Sequence, residues 1–233
     1  MTGLVLALFV VVLVLVVGGF VALFALLFRS ASRQQARRAS EQSGYGAARG
    51  FGYVETDRAL PDRFTGIPFG RGGARTAHHV LQGVHDGRPV IAFEYTFSTH
   101  SGERTRHHRY GVVATALPTA VPKLEILRSS TSGTFLDAFR GGDHEIGDPA
   151  FDAAYRVFTD SPPFAADVLA PDLRAWLLAQ RPPLVYLRGS DLVVVERGAQ
   201  TPAETDRRLA FAAAFLDLVP DHVWRRAAGG LPG

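Results

Sequence analysis

Six of the eight histidines in this 233-residue chain, His78, His79, His85, His100, His107 and His108, fall within 31 residues of one another. Imidazole suits zinc, copper, iron or nickel, and several histidines together titrate near neutrality. The segment reads as three strands joined by tight turns. With a turn at Asp86-Gly87 and another at Ser101-Gly102-Glu103, His79 faces Glu94 across the first hairpin and His108 faces Thr96 across the second. Cross-strand neighbours lie about 5 Å apart and diagonals about 7 to 8 Å. His79, Glu94 and His108 are therefore the candidate metal ligands. Against them stands the fact that His78-His79 and His107-His108 are dipeptides, whose side chains project to opposite faces of a strand. A pH-responsive patch or a solvated strand face accounts for the same residues.

Other chemistry lacks its residues. The chain contains no Cys, which excludes disulfides, thiol nucleophiles and Cys-ligated zinc. Phe69-Gly70-Arg71-Gly72-Gly73 has the glycines of a phosphate cradle but not the Gly-Lys-Ser/Thr ending of a P-loop, so it reads as a flexible entry loop. No Gly-x-Ser-x-Gly occurs, and no tight carboxylate cluster is present. Trp176 and Trp224 read as core anchors. No catalytic residue and no cofactor is assigned.

The elements that position these residues form one α+β domain. Thr76 to Val84, Val90 to Thr99 and His107 to Ala116 make a meander. Ile91, Phe93, Tyr95 and Phe97 share one face, and Val90, Ala92, Glu94 and Thr96 share the other. Pro118 closes the third strand, and Lys123 to Leu127 is a fourth at an edge, where Pro122 is tolerated. Phe135 to Phe139 makes a helical turn or two, stopped by Gly141-Gly142. Ala154 to Phe158 is a further strand. Ser161-Pro162 opens a helical stretch that Pro171 splits. Leu184 to Leu187 and Leu192 to Val195 flank Gly189-Ser190 as a hairpin. Thr201-Pro202-Ala203-Glu204 joins a capping box to a first-turn proline, and its helix runs to about Val219 before Pro220. The fold class is thus α+β, with a mainly antiparallel sheet and late helices.

Before this domain lies an unbroken apolar run, Leu4 to Phe28. At about 1.5 Å of rise per residue it reaches roughly 37 Å, enough to cross a hydrocarbon core of about 30 Å. Residues 1–28 are therefore expected to be a retained transmembrane helix, since a cleaved signal is shorter and starts with basic residues. Arg29, Arg33, Arg37 and Arg38 follow the run and nothing charged precedes it, which orients the bulk of the chain to the cytoplasm. Residues 29–50 form a basic juxtamembrane linker, 51–224 the α+β domain and 225–233 a flexible tail. Of the net charge of +3, residues 29–49 hold +4, from five Arg and Glu41, which leaves −1 for residues 50–233. A folded part without excess positive charge argues against nucleic acid as a partner. The Arg-rich stretch suits anionic headgroups of the lipid bilayer, and the lack of a catalytic set suits a domain that binds a protein partner.

Several stretches together resemble a family of single-pass bacterial membrane proteins of unknown function, common in GC-rich Gram-positives. They are Thr65-Gly66-Ile67-Pro68-Phe69, Gly83 with Gly87-Arg88-Pro89-Val90 and Ala92-Phe93-Glu94-Tyr95, Phe151 to Val157, Val168-Leu169-Ala170-Pro171 with Trp176-Leu177-Leu178, and Val219-Pro220 with Trp224. The order and spacing carry the resemblance. It implies a membrane anchor followed by one α+β domain and brings no activity, cofactor or catalytic residue.

Overall fold

The structure is a computed structural model that describes residues 19–20, 33–102, 104–129, 143–182 and 184–229. All but two residues of the expected Leu4 to Phe28 span, together with Arg29, the Phe135 to Phe139 turn and the end of the tail, lie outside the described residues. Among the described residues no helix is long and apolar enough to cross a membrane. The chain divides into two units, Met1–Gly44 and Tyr45–Gly233. In the first, residues 33–44 are helical and Arg33, Arg37 and Arg38 are exposed. The stretch read as a linker is thus helical over residues 33–48 (α1).

The second unit is built on a six-stranded sheet of β1 (Gly52–Asp57), β2 (Gly73–His85), β3 (Arg88–Ser101), β4 (Arg104–Arg128), β5 (Tyr155–Thr159) and β6 (Leu184–Arg197). Every pairing is antiparallel. The helices are α2 (Pro149–Ala154), α3 (Pro162–Val168), α4 (Pro171–Gln180), α5 (Pro202–Leu218) and α6 (Asp221–Ala228), and a 3-10 turn spans Leu60–Arg63. The expected α+β class with late helices is what the chain adopts. The β2–β3 turn is the one its sequence demands: His85 pairs with Arg88, and Asp86 and Gly87 take φ of 48° and 74°. Positive φ at both central residues defines a type I′ turn.

Two expected pairs of strands prove to be two single long strands. β4 runs unbroken for 25 residues, through both Pro118 and Pro122. Its register against β6 shifts between Ala116 and Val121 and again between Val121 and Leu124. Each proline falls in one of these irregular stretches, where the ladder does not demand its missing N–H. The expected hairpin around Gly189-Ser190 is likewise continuous β6, with Gly189 at φ 55° opposite Val121. Because β6 pairs with β4 along its length, β3 and β5 must follow one another on the other side of β4.

Strand alternation then divides the apolar side chains between two faces. Val193, Val195, Tyr186, Val112, Phe93 and Tyr95 pack under Phe64, Ile67 and Phe69 from the segment after the 3-10 turn. Leu192, Val194, Val185, Leu187, Leu124 and Ile126 pack against helices that supply Phe164, Leu173, Leu177, Phe215 and Val223. Each such side chain, fully buried, contributes about 1.5 to 3 kcal/mol by transfer from water.

The segment around Phe69 is therefore a cover of the core and not a flexible entry loop. Phe69 is 4 % exposed, and Gly72 at φ 62° passes so close to Ser98 that a Cβ there would strike its carbonyl. At the other end of the chain, residues 225–228, expected to belong to a flexible tail, are the end of the helix α6. Val223 is buried and Trp224 packs on the same cluster, which holds the last helix in place.

The α5 start shows the N-cap and the first-turn proline of its sequence signal, while the Glu204 carboxylate turns to Arg207 and Arg208. Thr201 Oγ1 accepts a hydrogen bond from the Glu204 N–H at 3.2 Å, with Pro202 in the first turn. Thr201→Ala leaves that amide without its side-chain partner and is expected to cost about 1 kcal/mol. Denaturant unfolding followed by circular dichroism checks this; an unchanged midpoint would show that the cap carries no stability.

Candidate functional site

The structure does not bring His79, Glu94 and His108 together. From the Asp86-Gly87 turn the ladder starts in the register that would set His79 opposite Glu94, but it shifts between His78 and Leu81. His79 sits in that bulge at φ 51°, and His78 takes the place opposite Glu94. The bulged residue turns to β1 instead: His79 Nδ1 lies 3.0 Å from the Tyr53 hydroxyl, and the two rings stack at 6.3 Å.

The second hairpin differs for another reason. Its turn has two residues between Ser101 and Arg104, not the three expected, so His108 pairs with Phe97 and Arg109 with Thr96. A slip of one residue moves a side chain to the opposite face. His108 accordingly stacks on Phe97 at 4.6 Å, with 14° between planes, and its Nε2 lies 2.9 Å from Thr99 Oγ1. Glu94 points to the helix-covered face. Among the described residues no group of three or more His, Cys, Asp and Glu is arranged to hold a metal ion.

Glu94 belongs to a buried polar network that sequence spacing did not reveal. Its Oε1 pairs with Arg109 Nε at 3.2 Å, and its Oε2 accepts the Gln200 backbone N–H at 3.1 Å. The Gln200 side chain donates to Thr205 Oγ1 at 2.9 Å and accepts from Arg208 Nη1 at 2.6 Å. Arg208 is only 2 % exposed. Its Nη2 reaches Glu196 and Glu204, each at 3.1 Å, and Arg207 pairs with the same two carboxylates. Burial pulls the Arg208 pKa down, and the two carboxylates oppose it. The Arg207 hydrogen bond holds the Glu204 carboxyl below its ordinary value.

Gly111, on β4 opposite Glu94, makes the room. A Cβ there would come within 2.6 Å of Arg208 Nη1, closer than atoms of a packed interior approach. One local signal for the network was available in the sequence: Glu204 and Arg208 are four apart on a helix, the spacing at which side chains meet. The partners Glu94 and Gln200 could not be read, being 106 residues apart.

Beside the network lies a groove of about 500 Å³ between the C-terminus of α4, the outer edge of β6 and α5. Its apolar wall is Trp176, Phe211, Val194 and Ala214, and its polar end is Arg181, Arg207, Arg208 and Glu196. The Trp176 and Phe211 rings lie 4.8 Å apart. Trp176 is thus both packed on the core, as expected of an anchor, and part of a concave wall.

The histidine beside Glu94 is expected to make the stability of the fold depend on pH. His78 Nε2 lies 3.1 Å from Thr96 Oγ1, and burial lowers its pKa despite the opposing charge of Glu94. A base whose folded pKa is depressed binds fewer protons folded than unfolded. Its contribution is fully present above the unfolded value of about 6.5 and is lost as pH falls through that value toward the lower folded one. Unfolding midpoints are therefore expected to drop between about pH 7.5 and pH 5.5, and His78→Gln to flatten that drop. An equal drop in the variant would move the effect elsewhere, with His108, also lowered by burial, the next to change.

The fold and groove define an α+β domain on a single antiparallel sheet, covered, among the described residues, by helices on one face and by one short segment on the other. Such a fold is found in the crystal structure of the mycobacterial trehalose monomycolate transport factor A, TtfA, to which this chain is similar at 16 % identity and a TM-score of 0.56. The similarity covers 78 % of this chain and 96 % of that one. At this identity the likeness concerns the fold alone. No protein-family model matches the chain, and no curated protein matches its sequence.

Proposed function

We propose that this chain is a membrane-tethered, cytoplasm-facing interaction domain that binds a protein partner or the inner membrane surface, in an envelope-related transport role. The observation that carries the reading is the exposure of Arg33, Arg37 and Arg38 on the helical residues that follow the apolar run. Arg33 and Arg37 are four apart and share one side of the helix, with Arg38 a further 100° or so around. Cations so placed each gain about 1 kcal/mol near an anionic bilayer surface. The transport part of this reading is suggested by the likeness of the fold to a protein named as a transport factor. It also fits the resemblance to single-pass membrane proteins. A domain on the outer side, as an envelope assembly factor, is the reading that inverted topology would favour.

Topology decides between these two. A reporter active only in the cytoplasm, fused to the C-terminus, is expected to be active, whereas activity of a reporter that works only after export would overturn the orientation. Arg29, Arg33, Arg37 and Arg38 changed together to Gln are expected to scramble the orientation, read as signal from both reporters. Affinity purification from membranes then identifies the partner. Recovery of the chain alone, with no binding to anionic vesicles, would remove the interaction reading.

A further inference from the structure

The groove beside the buried network has the two halves of a ligand site. It is about 500 Å³, within the range of small-molecule pockets, which are mainly apolar with a few placed polar groups. Trp176, Phe211 and Val194 form a wall that can hold an apolar body. At the other end stand Arg181, Arg207 and Arg208 with Glu196 as the one acidic lining residue, a local charge of +2. Glu196 is already held by Arg207 and Arg208, which leaves Arg181, at the αL cap of α4, with no carboxylate partner among the described residues.

Arg208 supplies the second observation. It is almost wholly buried, and while both its terminal nitrogens are engaged, its Nε has no hydrogen-bond partner. That nitrogen is shut off from the groove, so Arg208 acts on an anion there through its charge and not by direct contact.

We propose that the groove between α4, β6 and α5 binds an anionic amphiphile, a small molecule carrying one carboxylate or phosphate on an apolar body. The anionic group lies at Arg181, in the field of Arg207 and Arg208, and the apolar body lies along Trp176 and Phe211. The site goes beyond the membrane reading and does not depend on it, because every residue in it belongs to the second unit.

Trp176 reports on its own occupancy. In the full chain, held in phosphatidylcholine nanodiscs with Trp224→Phe to leave one indole, octyl phosphate is expected to shift Trp176 emission along a saturating curve. Inorganic phosphate and octanol, each with half of the chemistry, are expected to bind at least about tenfold more weakly. Arg181→Gln removes the cation that has no carboxylate partner, while Ala214→Leu fills the apolar end. Each is expected to weaken binding about tenfold, with circular dichroism confirming that the fold persists. Should Arg181→Gln unfold the chain, Ala214→Leu carries the test. Phosphatidic acid in the nanodisc that competes with octyl phosphate assigns the site to a bilayer lipid, and lack of competition assigns it to a free amphiphile. An unsaturable response that Ala214→Leu leaves unchanged would reveal partition into the bilayer and overturn the proposal. Inorganic phosphate binding as tightly as octyl phosphate would do the same, by removing the apolar half.

Discussion

Arg208→Ala is expected to destabilise the fold by about 2 to 4 kcal/mol, because it removes the centre of a buried hydrogen-bonded network. Gln200 Oε1 would lose its 2.6 Å donor inside the protein, where Gln200 is 3 % exposed, and a cavity would replace the guanidinium. Glu196 and Glu204 would be left to share Arg207. Those carboxylates are roughly one-third exposed, at 31 % and 39 %, so water recovers part of their loss. Arg207→Ala is the internal control. Its side chain pairs with the same two groups but is 52 % exposed, and surface pairs are worth only about 0 to 1 kcal/mol. Chemical denaturation of the two variants measures the difference. Equal small losses would mean that burial of Arg208 contributes nothing. Replacing Arg208 and Gln200 together by Met should cost less than Arg208→Ala, since no unpaired acceptor would then remain.

Phe69→Ala is expected to cost more, about 3 to 5 kcal/mol, the range for removing a buried aromatic ring. Phe69 touches Tyr95 at 4.8 Å, Phe64 at 5.2 Å and Phe93 at 6.2 Å between ring centroids. It comes from the only short segment that covers its face of the sheet among the described residues, so no helix can close over the space it leaves. The expectation separates two views of this stretch. Were the glycines around it a flexible entry loop, the loss would be near zero. A loss of several kcal/mol, read from the thermal midpoint, makes the segment part of the core. Gly72→Ala tests the same packing from the backbone side, because its positive φ and its approach to Ser98 disfavour any Cβ.

The histidine reading shows where local inference stops. The Asp86-Gly87 turn was legible, and from it the register of the first few pairs of β2 and β3 follows by counting. The bulge at His79 was not legible, since nothing in the dipeptide His78-His79 demands an extra residue there. It is favoured by what lies across the strand, where Tyr53 of β1 meets the displaced imidazole. One residue of slip was enough to exchange His79 for His78 beside Glu94. On the second hairpin a turn shorter by one residue sent His108 to the other face.

The same distinction accounts for the strands. Pro118, Pro122 and Gly189-Ser190 are turn signals by composition, and each lies in an irregular stretch of a strand that continues. A proline excludes one ladder hydrogen bond, not the strand around it. Whether the chain turns back or only bulges is decided by β4 and β6 pairing across the 55 residues between Arg128 and Leu184.

The sequence by itself determined those features whose cause lies within a few residues. The Asp86-Gly87 turn, the cap from Thr201 to Glu204, the split of α3 from α4 at Pro171 and the alternation of Ile91, Phe93, Tyr95 and Phe97 all follow from allowed φ, missing donors and side-chain period. Together these were enough for the α+β class and the late helices. Tertiary structure alone decided the bulge at His79, the fusion of four short strands into two long ones, the closing of one sheet face by Phe64 to Phe69, and the gathering of Glu94, Gln200 and Arg208 around Gly111. Each of these rests on groups far apart in the chain meeting in a low-dielectric interior. There an unmet hydrogen bond or a slip of one residue costs more than any local preference supplies.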